Sequence, residues 1–216
     1  MLRNKIAQHT DVMRSLASET RFQFEEEDAS GTKAFLENFK LFQRGMRKKI
    51  QNVVRKRNPA TFEETMIFDY QYTISSGKSS RTYYQTVYMI YNKTFALPHF
   101  YMIPEKWYHQ LGKVFGIEDI DFVAYPKFSK QYFLKGEDVE FIQHTFNQQK
   151  ILALFGREAG YSLEGCNYVF ILYRHDQLLP LRRIREMIRV AEKVSQVFIL
   201  KGEHWLANHN RILEEE

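Results

Sequence analysis

Apolar positions along the chain repeat with two periods, and the switches between them mark out helical and extended stretches. Leu2, Ile6, Met13 and Leu16 recur at helical spacing, with Arg3, Lys5, Asp11 and Arg14 between them. That spacing predicts an amphipathic helix over residues 3–18. Arg21 to Phe24 reads as a short strand, Glu25-Glu26-Glu27-Asp28 with Ser30-Gly31 as a solvated turn, and Lys33 to Asn38 as a brief helix. The middle of the chain is extended. Met66, Phe68, Tyr70, Tyr72 and Ile74 alternate with Ile67, Asp69, Gln71 and Thr73, the period of a half-buried strand. Beyond the polar loop 75–80, Thr82 to Tyr91 resumes as strand, and the pair predicts an antiparallel hairpin. Ile50 to Arg57, ending at Asn58-Pro59, supplies an earlier strand and Phe100 to Ile103 a later one.

From Pro104 the period becomes helical again. Trp107, Tyr108, Leu111, Val114 and Phe115 form a stripe closed by Gly116, with proline at its start and glycine past its end. Gln131 to Leu134 reads as strand. Glu137, Asp138 and Glu140 open a helix that runs to Phe155, their charges complementing its dipole. Tyr161 to Leu163 and Tyr168 to Tyr173 predict a second hairpin around Gly165. A last helix starts at Pro180 and turns Ile184, Met187, Ile188, Ala191, Val194 and Phe198 inward. Helices gather at the ends of a run of antiparallel strands, which predicts an α+β fold with the helices mainly on one face of the sheet. The expected organisation is a peripheral N-terminal helix (1–20), one α+β domain (21–200) with five to seven strands, and a polar C-terminal tail (201–216).

A chain of 216 residues, 44% hydrophobic and 26% charged, can bury a core without disulfides or metals, and collagen-like or wholly disordered readings are excluded. Aromatic residues make up 15%, which favours sheet. The single cysteine, Cys166, can form neither an internal disulfide nor a structural zinc site by itself. No apolar run of roughly 18 residues appears, so the sequence predicts no membrane-spanning helix. With one cysteine and no export signal, the expected compartment is the cytoplasm.

The formal net charge of +5 is small, and its distribution matters more. Arg44, Arg47, Lys48, Lys49, Arg55, Lys56 and Arg57 fall between residues 44 and 57 with no acid among them. On a strand, alternate members of that run share a face. A second basic face, Arg182, Arg183, Arg185 and Arg189, lies on the last helix, diluted by Glu186 and Glu192. The residues expected to meet an anionic partner are Arg47, Lys48, Lys49, Arg55, Lys56, Arg57, Arg182 and Arg185. The competing reading of the first run is a solvated basic edge strand that resists aggregation.

Other constellations carry less. Ser76-Gly77-Lys78-Ser79 ends like a phosphate-binding loop, but position 72, where the first glycine belongs, is Tyr, and the segment joins two strands. It reads as a hairpin turn. Tyr83, Tyr84, Tyr88 and Tyr91 read as cross-strand packing, because the aromatic-basic string of RNA-binding sheets is missing. His204 and His209 miss the i, i+4 ligand spacing, His99 and His109 lie on separate elements, and Glu118-Asp119-Ile120-Asp121 lacks a calcium loop's oxygen ladder. No metal or cofactor is expected. Cys166 reads as a small hydrophobe, and no Gly-x-Ser-x-Gly elbow occurs. An enzyme would have to bring Asp69, Glu105 or Asp121 together in a cleft.

Several short strings in order resemble an uncharacterised bacterial family of small α+β domains, usually tethered by one N-terminal membrane helix. They include Phe42-Gln43-Arg44-Gly45, Asn52-Val53, Phe68-Asp69-Tyr70-Gln71-Tyr72, Gln85-Thr86-Val87, Leu97-Pro98-His99-Phe100 and Tyr173-Arg174. The resemblance spans residues 35–198 and implies no activity, cofactor or site residue. It implies that the basic N-terminal helix fits a juxtamembrane position at the inner face of a membrane. The sequence thus leans away from catalysis, toward a binding or scaffold module whose basic surfaces meet membrane phosphates or an acidic protein. Specific nucleic-acid binding is not expected, since no helix-turn-helix, zinc finger or RNA-recognition signature is present.

Overall fold

A computed structural model describes residues 2–108, 119–147, 150–158 and 160–214. The fold is α+β with antiparallel strands, eight of them among the described residues. The chain forms two compact units, one of residues 1–91 and 170–188, the other of residues 92–169 and 189–216.

The first unit opens with helix α1 (Leu2–Thr20), followed by strand β1 (Gln23–Glu27) and two single-turn helices, α2 (Thr32–Phe35) and α3 (Lys40–Gln43). Three long strands follow: β2 (Met46–Arg57), β3 (Glu64–Ser76) and β4 (Ser79–Tyr91). With β8 (Val169–Tyr173) they lie in the order β1-β2-β3-β4-β8. The hairpin of β3 and β4 runs without a slip from Glu64↔Tyr91 to Ser76↔Ser79. Gly77 turns it with φ of +54°, a conformation glycine adopts without penalty. The glycine-lysine-serine string is therefore a turn between strands.

β3 departs from the half-buried expectation, because both of its faces are covered from Met66 to Tyr70. Phe68 and Tyr70 face α3, with the Phe42 ring centroid 4.3 Å from that of Tyr70. Asp69, on the opposite face, meets His9 of α1. The first turns of the long helix α8 (Leu181–Glu214) lie on the Asp69 face with α1, joined to it by the Arg185–Glu19 pair. His9, Met13 and Leu16 are buried, so α1 is part of this unit's core and not a peripheral attachment.

Two bulges interrupt β2, between Met46 and Lys49 and between Gln51 and Val54. Arg47 and Asn52 sit in them with φ of +52° and +53°. Each extra residue reverses which face the following side chains meet. β2 also lies between β1 and β3, so it is not an edge strand.

The second unit contains β5 (Leu97–Pro104), helices α4 (Glu105–Tyr108) and α5 (Pro126–Ser129), β6 (Tyr132–Gly136), helices α6 (Val139–Asn147) and α7 (Lys150–Arg157), and β7 (Ser162–Asn167). β5 pairs with β6 on one side and β7 on the other, both antiparallel. The expected 137–155 helix is helical over 139–147 and 150–157, and residues 148–149 lie outside the described residues. Most of the stripe after Trp107, from residue 109, also lies outside them. Gly165 is in β7 itself, packed against Phe100, and the bend follows at Asn167, φ +53°. The expected polar tail is helical to Glu214, for residues 201–214 hold no proline and only one glycine, Gly202.

Candidate functional site

The expected basic face on β2 is dispersed by the two bulges and by nearby acids. Arg55 is buried, 4% exposed, with its guanidinium 2.6 Å from Glu64, 3.5 Å from Glu25 and 3.7 Å from Asp28. It is a structural clamp, and its assignment to an anion-binding surface is corrected. A buried guanidinium facing three carboxylates has no charge left to present. Lys49 pairs with Glu27 at 3.0 Å and Arg57 with Glu64 at 3.1 Å. Lys48 donates to the Phe42 carbonyl at 2.6 Å, and the Lys56 ammonium stands 5.5 Å from the Phe22 ring centre. Arg47 is exposed at its bulge. On α8, Arg182 meets Glu186 at 3.3 Å and Arg185 makes a two-nitrogen contact with Glu19, at 2.7 Å from Nη2 and 3.1 Å from Nε. Exposed pairs of this kind are weak and exchangeable.

A different set of residues converges in the first unit. A half-open cleft of about 830 Å³ lies where α1, the start of β4 and the segment between β8 and α8 meet. Arg81, Arg174 and Arg183 line it, and among the described residues Asp176 is the one acid that does. Arg81 pairs with Asp176 at 2.5 Å while its guanidinium stacks 4.8 Å from the Tyr83 ring centre. Tyr83 in turn stacks on Tyr72, with centroids 5.2 Å apart and planes 11° from parallel. These rings hold Arg81 near the start of β4. Arg183, in the first turn of α8, pairs with Glu186 at 2.6 Å. Half-buried Val12, Tyr84 and Leu178 supply apolar surface to the same cleft.

Its inner wall includes His9. His9 Nδ1 donates to Asp69 Oδ2 at 2.7 Å, and Nε2 donates to the Leu179 carbonyl at 2.8 Å. Each ring nitrogen thus faces an oxygen acceptor, an arrangement that the doubly protonated ring satisfies in full. Burial alone penalises that charge, but the hydrogen bond and charge of Asp69, with the Leu179 carbonyl, outweigh it and raise the pKa above its ordinary value. Asp69 also accepts from Asn52 Nδ2 at 2.9 Å and Thr86 Oγ1 at 3.2 Å. Thr86 Oγ1 accepts the Leu179 amide at 3.0 Å. The left-handed bulge at Asn52 accompanies its side chain's reach to Asp69, and asparagine is among the few residues that tolerate such a φ.

This network bears on the catalytic alternative. A general base needs a free lone pair, and both His9 nitrogens are engaged. Asp69 belongs to this network, whereas Glu105 and Asp121 belong to the second unit. There they raise the Asp119 pKa to about 6, after burial as the larger cause. The Cys166 thiol is pushed up by burial and by Glu137, away from a reactive thiolate. No group of three metal-ligating side chains occurs among the described residues. No helix among them is long and apolar enough to cross a membrane.

The sequence reading missed His9, although its position was informative. It falls on the same helical face as Met13 and Leu16, at i, i+4 and i+7, where a titratable ring must be satisfied internally. Arg81, Arg174 and Asp176 come from separated strand ends and loops and give no local pattern.

Neither protein-family profiles nor curated proteins give a match to this sequence. Among solved structures, the fold is similar to the crystal structure of the mycobacterial trehalose monomycolate transport factor A, TtfA. The TM-score is 0.61 at 10% identity, over 88% of this chain and 93% of that one. At that identity the likeness is one of fold.

Proposed function

We propose that the protein is a non-catalytic binding module whose cleft, rather than β2, receives the anionic group of its partner. The observation that carries this reading is the lining of the cleft, three arginines to one aspartate. Guanidinium groups suit a phosphate or carboxylate because they present paired donors, and an exposed pair such as Arg81–Asp176 gives way readily to a competing anion. The start of α8 adds the positive end of a long helix. A structural neighbour that is named a transport factor, not an enzyme, agrees with an accessory role. Either expected partner, a membrane phosphate or an acidic protein, carries the required group.

The test is a chemical-shift titration of the full chain with inorganic phosphate and with acetate, against chloride at matched ionic strength. Saturable shifts are expected at Arg81, Thr82, Asp176 and Arg183, weakening as salt screens the cleft. Arg81→Glu with Arg183→Glu should abolish them. Reversal of Lys48, Lys49 and Arg57 should leave them unchanged. Shifts confined to β2, or none that saturate, would overturn the assignment.

A further inference from the structure

The geometry points to a single-chain anionic amphiphile as the ligand of this cleft: a compact phosphate or carboxylate head held by the arginines, with its alkyl part against the apolar wall. This inference rests on the anion-binding reading above and specifies its ligand class. A site for a free inorganic anion needs only a polar cradle. This cleft is far larger than such an ion and falls in the range of roughly 300–1,000 Å³ that encloses organic ligands.

Its lining also combines two chemistries, arginine side chains and apolar ones. Arg81 and Arg183 are exposed, at the strand end and the helix start. Val12, Tyr84 and Leu178 are half-buried, so each still offers apolar surface inside the cleft that an alkyl chain would cover. On the inner wall both His9 nitrogens are already engaged by Asp69 and the Leu179 carbonyl, so the ring offers no free donor to a second anion. A cation would face the arginines, whereas one charged end and one apolar part meet both kinds of lining residue.

A chain-length series tests the idea on the full protein. Butyl, hexyl and octyl phosphate, used below their aggregation concentrations, are compared with inorganic phosphate by calorimetry. Octanoate distinguishes the carboxylate source of the head from the phosphate source. Octyltrimethylammonium carries the same tail with opposite charge. A fully buried methylene contributes about fourfold in affinity (about 0.8 kcal/mol), so a half-open cleft should give about twofold per methylene. Val12→Thr and Leu178→Asn, polar but uncharged at half-buried sites, should flatten that slope by weakening octyl phosphate more than inorganic phosphate.

A flat chain-length series with inorganic phosphate still bound would overturn the amphiphile inference and leave the anion reading standing. Equal binding of octyltrimethylammonium and octyl phosphate would also overturn it. No saturable binding of any anion, phosphate included, would remove both readings.

Discussion

The buried His9–Asp69 pair makes a prediction with a definite sign. The perturbation is pH, with His9→Gln as the comparison. In the folded chain the His9 pKa is raised, whereas the unfolded chain titrates near 6.5. Below 6.5 both states hold the proton and the pair contributes its full stability. As pH rises from 6.5 through the folded pKa, the native state holds more protons than the unfolded one, and stability falls. The slope from this one group cannot exceed about 1.4 kcal/mol per pH unit.

The amplitude follows from what is lost. A neutral ring can donate from only one nitrogen, so either Asp69 or the Leu179 carbonyl loses its partner. Removing one side of a buried pair costs about 3–5 kcal/mol, and Asp69 keeps two other donors, which places His9→Gln near the lower figure. The assay is urea unfolding followed by circular dichroism from pH 5.5 to 9, with the first unit's transition resolved, since two units need not unfold together. Wild type should lose its advantage over His9→Gln as pH rises. Imidazole nitrogen shifts followed across the same range should give a titration midpoint above 6.5. A constant gap between wild type and His9→Gln across that range, or a His9 midpoint at or below 6.5, would refute the reasoning.

Three further outcomes are open to direct measurement. Arg55→Met should destabilise the first unit by about 3–5 kcal/mol, read as a lower urea midpoint, because Glu25 and Asp28 would lose their cation and Glu64 would keep only the exposed Arg57. Gly165→Ala should cost the second unit about 1–3 kcal/mol by thermal unfolding, since its new Cβ would stand 2.3 Å from Phe100 Cε1. Asp119→Asn should stabilise that unit above pH 6 by on the order of 1 kcal/mol after solvent screening, and by little below pH 4. There the raised carboxyl pKa makes stability fall as pH rises from about 4 to about 6, and the amide keeps an oxygen for the Leu134 N–H.

Regular elements were legible in the sequence wherever one physical signal dominated. The Met66–Ile74 alternation and the Ser-Gly-Lys-Ser turn gave the central hairpin, and the stripe from Ile184 to Phe198 gave the last helix. The β2 face was misread for an identifiable reason. Alternation predicts a shared face only while the register holds, and residues in the left-handed region at Arg47 and Asn52 break it twice. Arginine in the run 55–57 signalled charge but not its neutralisation, because Glu25, Asp28 and Glu64 reach Arg55 from other segments of the sequence. A one-dimensional charge count sees the donors and misses acceptors that the sheet brings alongside.

The same bulge that scatters the expected site also accompanies the network beneath the cleft found in the structure. Asn52 reaches Asp69 from the bulge, and Asp69 in turn holds His9, which fixes α1 against the Leu179 carbonyl. Thr86 ties the other side of the loop through the Leu179 amide, and the Thr86 amide donates to Gln177 O at 3.0 Å. The segment from Gln177 to Leu179, which forms one wall of the cleft, is thus fastened by polar contacts on both sides of the peptide chain. That arrangement converts a loop into a rigid wall, and binding by a rigid wall spares the ordering cost that a mobile loop would incur. It also links the two experiments on this unit. If His9 anchors the wall, His9→Gln should weaken alkyl phosphate binding without touching a cationic group on the rim. Above the folded pKa of His9, wild type should bind no better than the variant.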